Sequence, residues 1–186
     1  MIDHYPKSPY SIDMKTQARE FAVHYHTHET LDGVPQLYDG KPYVEAHVDA
    51  VVRALFEHRD IIVEMVDEDT FTNLVIAAYL HDAVEDTNAT IRMIARIFGI
   101  PVARLVWAVT GVGETRKIRN ADMERKIGLH VLAAILKLAD RIANVRASSF
   151  GSKHRKMYWR ELASFETYIR PNVPAAMWET LLREFG

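Results

Sequence analysis

The chain has 186 residues, 48% of them hydrophobic and 26% charged, with a formal net charge of −2; such proportions suit a globule that buries its own core. So small a charge creates no general field for nucleic acid or an anionic membrane, so any anion site must be local. The chain contains no cysteine, which removes disulfides, zinc–thiolate sites and cysteine nucleophiles together.

The opening MIDHYPKSPYSIDMK lacks the apolar centre of a secretory signal, and no apolar run nears the ~18 residues of a spanning helix. A cytoplasmic protein is expected. Residues 12–28 carry Ile12, Ala18, Phe21, Ala22 and Tyr25 at helical spacing. Gly33, Pro35, Gly40 and Pro42 then mark an irregular loop. Residues 43–58 place Val44, Val48, Val51, Val52 and Leu55 on one stripe, which predicts an amphipathic helix. The segment 69–82, capped by Asp69 or Thr70, is apolar almost all round, as a central helix would be. Thr90 opens a short helix over 91–98 that Gly99 ends, and Pro101 suits the first turn of the next, 101–109. GVGETRKIRN reads as a basic loop. Further helices are expected over 129–147, 153–169 and 174–185, the last opened by Pro174. No segment alternates convincingly as a strand, and no repeat or linker divides the chain. The expectation is one all-α bundle spanning residues 1–186.

His81 and Asp82 are adjacent at the end of the most apolar helix. Burying such a pair is costly unless each member has a partner, and a metal ion is the strongest one available. Glu85 and Asp86 follow one turn later, and like charges so close again favour a cation beside them. Asp140 sits among Leu136, Leu138, Ala139, Ile142, Ala143 and Val145, so it is expected to point inward, with Asn144 one turn on along the same face. His47 has a comparable place in the 43–58 helix. Taken singly, each residue has an ordinary structural explanation: a core histidine, an Asp140–Arg141 ion pair, a solvated acidic turn. The order His … His-Asp … Asp on separate helices is what points to a metal site built inside a bundle.

The tracts GKPYVEAH, YLHDAVEDT and LKLADRIANVR resemble the HD superfamily, and specifically the hydrolase domain of the RelA/SpoT homologues and their small stand-alone relatives. The resemblance runs from about residue 17 to 170, with FGIPVARLVWAVTG similar to the family segment after the Glu-Asp pair. It implies a compact helical HD fold and a phosphohydrolase that removes the 3′-pyrophosphate of guanosine tetra- or pentaphosphate. It implies a divalent metal, usually manganese, with iron, zinc or cobalt as alternatives, held by His47, His81, Asp82 and Asp140. Glu85 and Asp86 would position and activate the attacking water. Asn144 would lie beside the substrate's ribose and phosphate, Tyr158 near the nucleotide, and Lys41 with the substrate contacts.

The chain also departs from the pattern. His24-Tyr25-His26-Thr27-His28 and a longer loop replace an arginine-lysine cluster, Val48 replaces the proline after the first histidine, and Ala143-Asn144 replaces a histidine-asparagine pair. These changes bear on the guanine preference, not on the metal ligands. A second metal at the histidine cluster is disfavoured, because only His24 and His28 would share a helix face. Arg116, Lys117 and Arg119 would offset substrate phosphates if their loop lies near the centre. Alternatives are another nucleotide phosphatase (a 5′-nucleotidase or an NADPH 2′-phosphatase) and a non-catalytic nucleotide-binding regulator. The near-neutral charge argues against a nucleic-acid module, and the sequence leaves the oligomeric state open.

Overall fold

The computed structural model describes residues 13–130 and 132–186. Its elements are α1 (Met14–His28), a two-stranded hairpin β1 (Leu37–Tyr38) and β2 (Lys41–Pro42), a π-helical segment Val44–Val48 running into α2 (Asp49–Glu57), α3 (Arg59–Val63), α4 (Glu68–Leu80), α5 (Ala83–Asp86), α6 (Ile91–Phe98), α7 (Ile100–Val109), α8 (Arg116–Ile127), α9 (Leu132–Ala147), α10 (Lys153–Ile169), a 3₁₀ turn Arg170–Asn172 and α11 (Ala175–Phe185). Ile12, the first apolar residue of the expected N-terminal helix, lies outside the described residues.

The apolar helices occupy the centre. Seven residues of α4 are buried, and it packs against α1, α2 and α7. Eleven residues of α9 are buried, and it packs against α2, α7, α10 and α11. Leu74, Leu80, Leu136, Leu138 and Ile142 are almost fully buried in one cluster; each such side chain contributes roughly 1.5–3 kcal/mol of transfer free energy. The two helices with the most buried residues therefore lead into His81–Asp82 and carry Asp140. No helix among the described residues is long and apolar enough to cross a membrane.

Several expectations are corrected. Asp67, not Asp69 or Thr70, caps α4, its carboxylate accepting from the Thr70 N–H at 2.7 Å; the cap stands three residues before the amide it satisfies. The helix ends at Leu80, so His81 and Asp82 form the turn between α4 and α5. The segment expected as one helix over 43–58 begins as a π-helix, and His47 sits on it. The irregular loop holds a minimal hairpin in which Leu37 faces Pro42 and Tyr38 faces Lys41. The largest difference concerns the basic loop: from Arg116 onward it is helix, capped by the Thr115 hydroxyl, which accepts from the Ile118 N–H at 3.3 Å. α8 is too polar to show helical periodicity, and the glycines before it belong to its approach.

Candidate metal and active site

Three separate stretches of chain bring four ligating groups together. His47 arrives on the π-helical segment, where the wider turn sets the register of everything that follows; such bulges recur at functional sites. His81 and Asp82 arrive on the α4–α5 turn, and Asp140 on the third turn of α9. His47 Nε2 stands 3.4 Å from Asp82 Oδ2 and 3.4 Å from Asp140 Oδ1. His81 Nε2 stands 2.9 Å from Asp82 Oδ2 and 3.8 Å from Asp140 Oδ1. His47, His81 and Asp140 are only 3%, 1% and 6% exposed. One potential ligand atom from each of His47, His81 and Asp82 falls within 4.8 Å of the others.

His81 supplies the test of whether a metal fits. Its Nδ1 lies 2.8 Å from the Ala78 carbonyl, which can only accept, so Nδ1 carries the proton. Nε2 then presents a buried lone pair, and it has no hydrogen-bond partner among the described residues. A lone pair directed among two carboxylates suits a cation, and backbone fixation of the distal nitrogen is the usual support of a metal-binding imidazole. With protons alone, burial opposes charge on His47, yet hydrogen bonds to Asp140 and Asp82 outweigh it and push its pKa up to about 9. A divalent ion would satisfy the same carboxylates. The donor set of two imidazoles and two carboxylates fits such an ion.

The carboxylates are themselves held. The Tyr43 hydroxyl donates to Asp82 Oδ2, Lys137 Nζ lies 2.8 Å from Asp140 Oδ2, and the Asn144 amide donates to Asp140 Oδ1 at 2.5 Å. Tyr38 stacks on the His47 ring at 5.4 Å and reaches the Asn144 side chain at 3.5 Å. Burial, then Asp82, push Glu85 and Asp86 above the usual carboxylate range. Groups so shifted act better as proton acceptors.

The centre opens into a cavity of about 190 Å³ whose wall includes Glu85, Arg116, Arg119, Lys137, Arg141, Asn144 and Tyr158. Arg116 Nε and Nη2 reach the Glu161 carboxylate at 2.7 and 3.0 Å, and Arg141 meets it at 3.0 Å. Arg141 also lies 4.6 Å over the Tyr158 ring, whose hydroxyl is pushed up to about 12, first by burial.

Of the substrate contacts expected from sequence, Arg116, Arg119, Asn144 and Tyr158 line this cavity. Lys117 and Lys41 are exposed and do not line it. The Glu-Asp pair divides: Glu85 faces the cavity, whereas Asp86 faces a separate groove of about 400 Å³ formed with Thr30, Leu31, Val34, Pro35 and Gln36. In the histidine cluster, the His24 and His28 rings are neighbours at 5.4 Å, while His26 turns inward and is buried. Tyr43, Lys137, Arg141, Glu161 and Gln36 are the residues that sequence reasoning missed. Tyr43 and Lys137 had a signal, standing four residues before His47 and three before Asp140, on the same helical faces.

Glu85 depends on a three-residue latch. The Gly111 N–H donates to Glu85, while on either side the Thr110 carbonyl accepts from buried Lys126 at 2.9 Å and the Val112 N–H donates to Asp122 at 3.1 Å. Lys126 closes the ring on Asp122 at 2.6 Å. A Cβ at Gly111 would meet the Arg119 Cβ and carbonyl at 2.9 Å. Gly111→Ala should therefore displace the latch and cost on the order of 1–3 kcal/mol, as overpacking does. Thermal unfolding beside wild type checks this, and an unchanged midpoint would show that the approach relaxes freely.

A family model described as "HD domain" matches residues 18–164. The chain belongs to the HD domain family. Among curated proteins, this HD domain is similar to the guanosine-3′,5′-bis(diphosphate) 3′-pyrophosphohydrolase of Aquifex aeolicus, 32% identical across 78% of this chain and 19% of that protein. It is also similar to the Danio rerio enzyme of the same name, MESH1, at 34% across 58% of this chain and 56% of that one. The HD domain thus spans about half of these curated relatives, or less. A solved structure titled as a metazoan ortholog of SpoT that hydrolyzes ppGpp superposes with a TM-score of 0.68, covering 98% of this chain and 97% of that one. At 22% identity that likeness speaks for the fold.

Proposed function

We propose that the protein is a metal-dependent guanosine 3′,5′-bis(diphosphate) 3′-pyrophosphohydrolase, with manganese as the ion. One observation carries the reading: two imidazoles and two carboxylates converge at the edge of a cavity whose wall holds Arg116, Arg119, Lys137 and Arg141. The curated relatives that act on guanosine 3′,5′-bis(diphosphate) support the choice of substrate.

His47, His81, Asp82 and Asp140 would hold the ion. When bound, such an ion would supply Lewis acidity and make hydroxide available near neutral pH. Glu85, fixed by the Gly111 amide and facing the cavity, orients the attacking water and takes its proton. Asp86 works from the other side of the same turn. Arg116, Arg119 and Arg141 offset phosphate charge, and Tyr158 with Asn144 lies along the nucleotide. Water adds to the phosphorus joined to the 3′ oxygen, that P–O bond breaks, pyrophosphate is released and the 3′ oxygen takes up a proton.

The test is turnover by the purified, manganese-loaded protein of guanosine tetraphosphate, NADPH and a panel of nucleoside phosphates. Release of pyrophosphate from guanosine tetraphosphate at the highest kcat/KM is expected, and preference for another member would overturn the assignment. A polyphosphate gains most from the cationic wall, because each charge-assisted contact contributes roughly 1.5–3 kcal/mol. Arg116→Ala and Arg119→Ala should thus raise KM about tenfold or more for guanosine tetraphosphate and less for a monophosphate, while exposed Lys117→Ala should leave KM unchanged. Steady-state kinetics on both substrates decides, and equal effects on the two would make the wall a solvated surface.

A further inference from the structure

The loop between α1 and the His47 segment is tied to the acidic turn rather than merely passing it. Thr30 bridges Thr87 in an isolated antiparallel pairing, and the Asn88 N–H donates to the Glu29 carbonyl at 2.7 Å. Gln36 is fixed through its backbone on both sides: its N–H donates to the His26 carbonyl at 2.9 Å, and its carbonyl accepts from the Tyr43 N–H at 3.1 Å. From that anchored position the Gln36 amide donates from Nε2 to Asp86 Oδ2 at 2.9 Å, and its Oε1 lies 2.6 Å from His26 Nδ1.

This arrangement has a polarity. Asp86 as a carboxylate can only accept, so the Gln36 amide must present its NH₂ to it, which leaves Oε1 for His26. His26 must then carry its proton on Nδ1. The opposite tautomer would turn the amide round and set oxygen against the Asp86 carboxylate. His26 is buried against the Tyr43 ring at 4.8 Å, and its Nε2 has no partner among the described residues, so nothing there favours a proton on Nε2. The two ends of the relay are therefore set by one another.

We propose that Gln36, locked by His26, is a positioning residue that holds the Asp86 carboxylate in its working orientation. Asp86 and Asp82 are like charges four residues apart on one turn, so the orientation of Asp86 depends on a donor that favours its charged form. Gln36 supplies that donor from a loop outside the ligand-bearing helices. The proposal rests on the reading of Asp86 as part of the water-handling pair.

Gln36→Glu keeps the shape and can still accept from His26, but it offers Asp86 an oxygen instead of N–H. The expected result is a fall in kcat of about 10–100-fold, the usual effect of losing a hydrogen bond that orients a site group, with KM and metal content close to wild type. Gln36→Leu should fall less than Gln36→Glu, because it removes the donor without adding repulsion; a purely structural role would reverse that order. Wild-type kcat in Gln36→Glu overturns the proposal. The second arm needs no substrate: nitrogen-15 NMR of the diamagnetic zinc-loaded protein should show His26 as a single Nδ1–H tautomer that Gln36→Leu disturbs. An Nε2–H tautomer in wild type, or a pattern unchanged by Gln36→Leu, also overturns it. If wild type turns over none of the phosphates, the functional reading fails, and the NMR result still decides whether the relay exists.

Discussion

Asp82→Ala should leave the protein without its metal and lower turnover by more than about 10³-fold, since the Lewis acidity that would make hydroxide available near neutral pH would be lost. The effect is expected to be this large because Asp82 belongs to every part of the centre. Its Oδ2 is within 3.4 Å of His47 Nε2 and 2.9 Å of His81 Nε2, and it accepts the Tyr43 hydroxyl. Removing it takes away a proposed ligand and leaves, among the described residues, Asp140 alone facing the two imidazoles. His81→Ala should behave similarly. Elemental analysis after gel filtration checks the claim directly, and stoichiometric metal in Asp82→Ala would show the ligand assignment to be wrong.

The second large effect separates chemistry from binding. Glu85→Gln should keep the metal and the fold while kcat drops by on the order of 10²–10⁴, the range for loss of general acid–base help. Glutamine still accepts the Gly111 N–H, so the latch that binds Glu85 survives and only the proton acceptor is lost. Asp86→Asn should have the same direction and a smaller size, because Asp86 faces the groove rather than the cavity. Pre-steady-state and steady-state rates with metal content measured in parallel decide. Wild-type kcat in Glu85→Gln would reduce the residue to a support for the Thr110–Val112 segment.

Legibility in the sequence followed the physics of each element. α4, α7 and α9 announce themselves because their buried faces are wide and apolar, and Thr90, Gly99 and Pro101 punctuate α6 and α7 as their backbone chemistry demands. The metal candidates were legible because a charged pair at the end of an apolar helix has few stable explanations. α8 was not, since its exposed residues impose no stripe and only Met123, Lys126 and Ile127 are buried. The supporting contacts were the least visible. Gln36, Gly111 and Glu161 act across 50, 26 and 20 or more positions of chain, and nothing local in a sequence encodes a partner so distant. Lys117 illustrates the converse: it shares a basic run with Arg116 and Arg119, but a helix sends neighbours around 100° apart, and only the flanking pair meets the cavity.

The π-helical stretch Val44–Val48 makes the spacing around His47 count as much as its identity. One extra residue is accommodated there without lengthening the helix, and α2 continues directly from it with Val51, Val52 and Leu55 already committed to the core. Deleting Val48 would carry His47 one position towards α2 and turn it by about 100° about the helix axis. His47 would leave its place facing Asp82 and Asp140 while Val51, Val52 and Leu55 on α2 kept theirs. The first proposed ligand is therefore held in phase by chain length, and substitution and deletion at this point are different kinds of change: one alters a contact, the other the frame in which every contact is read.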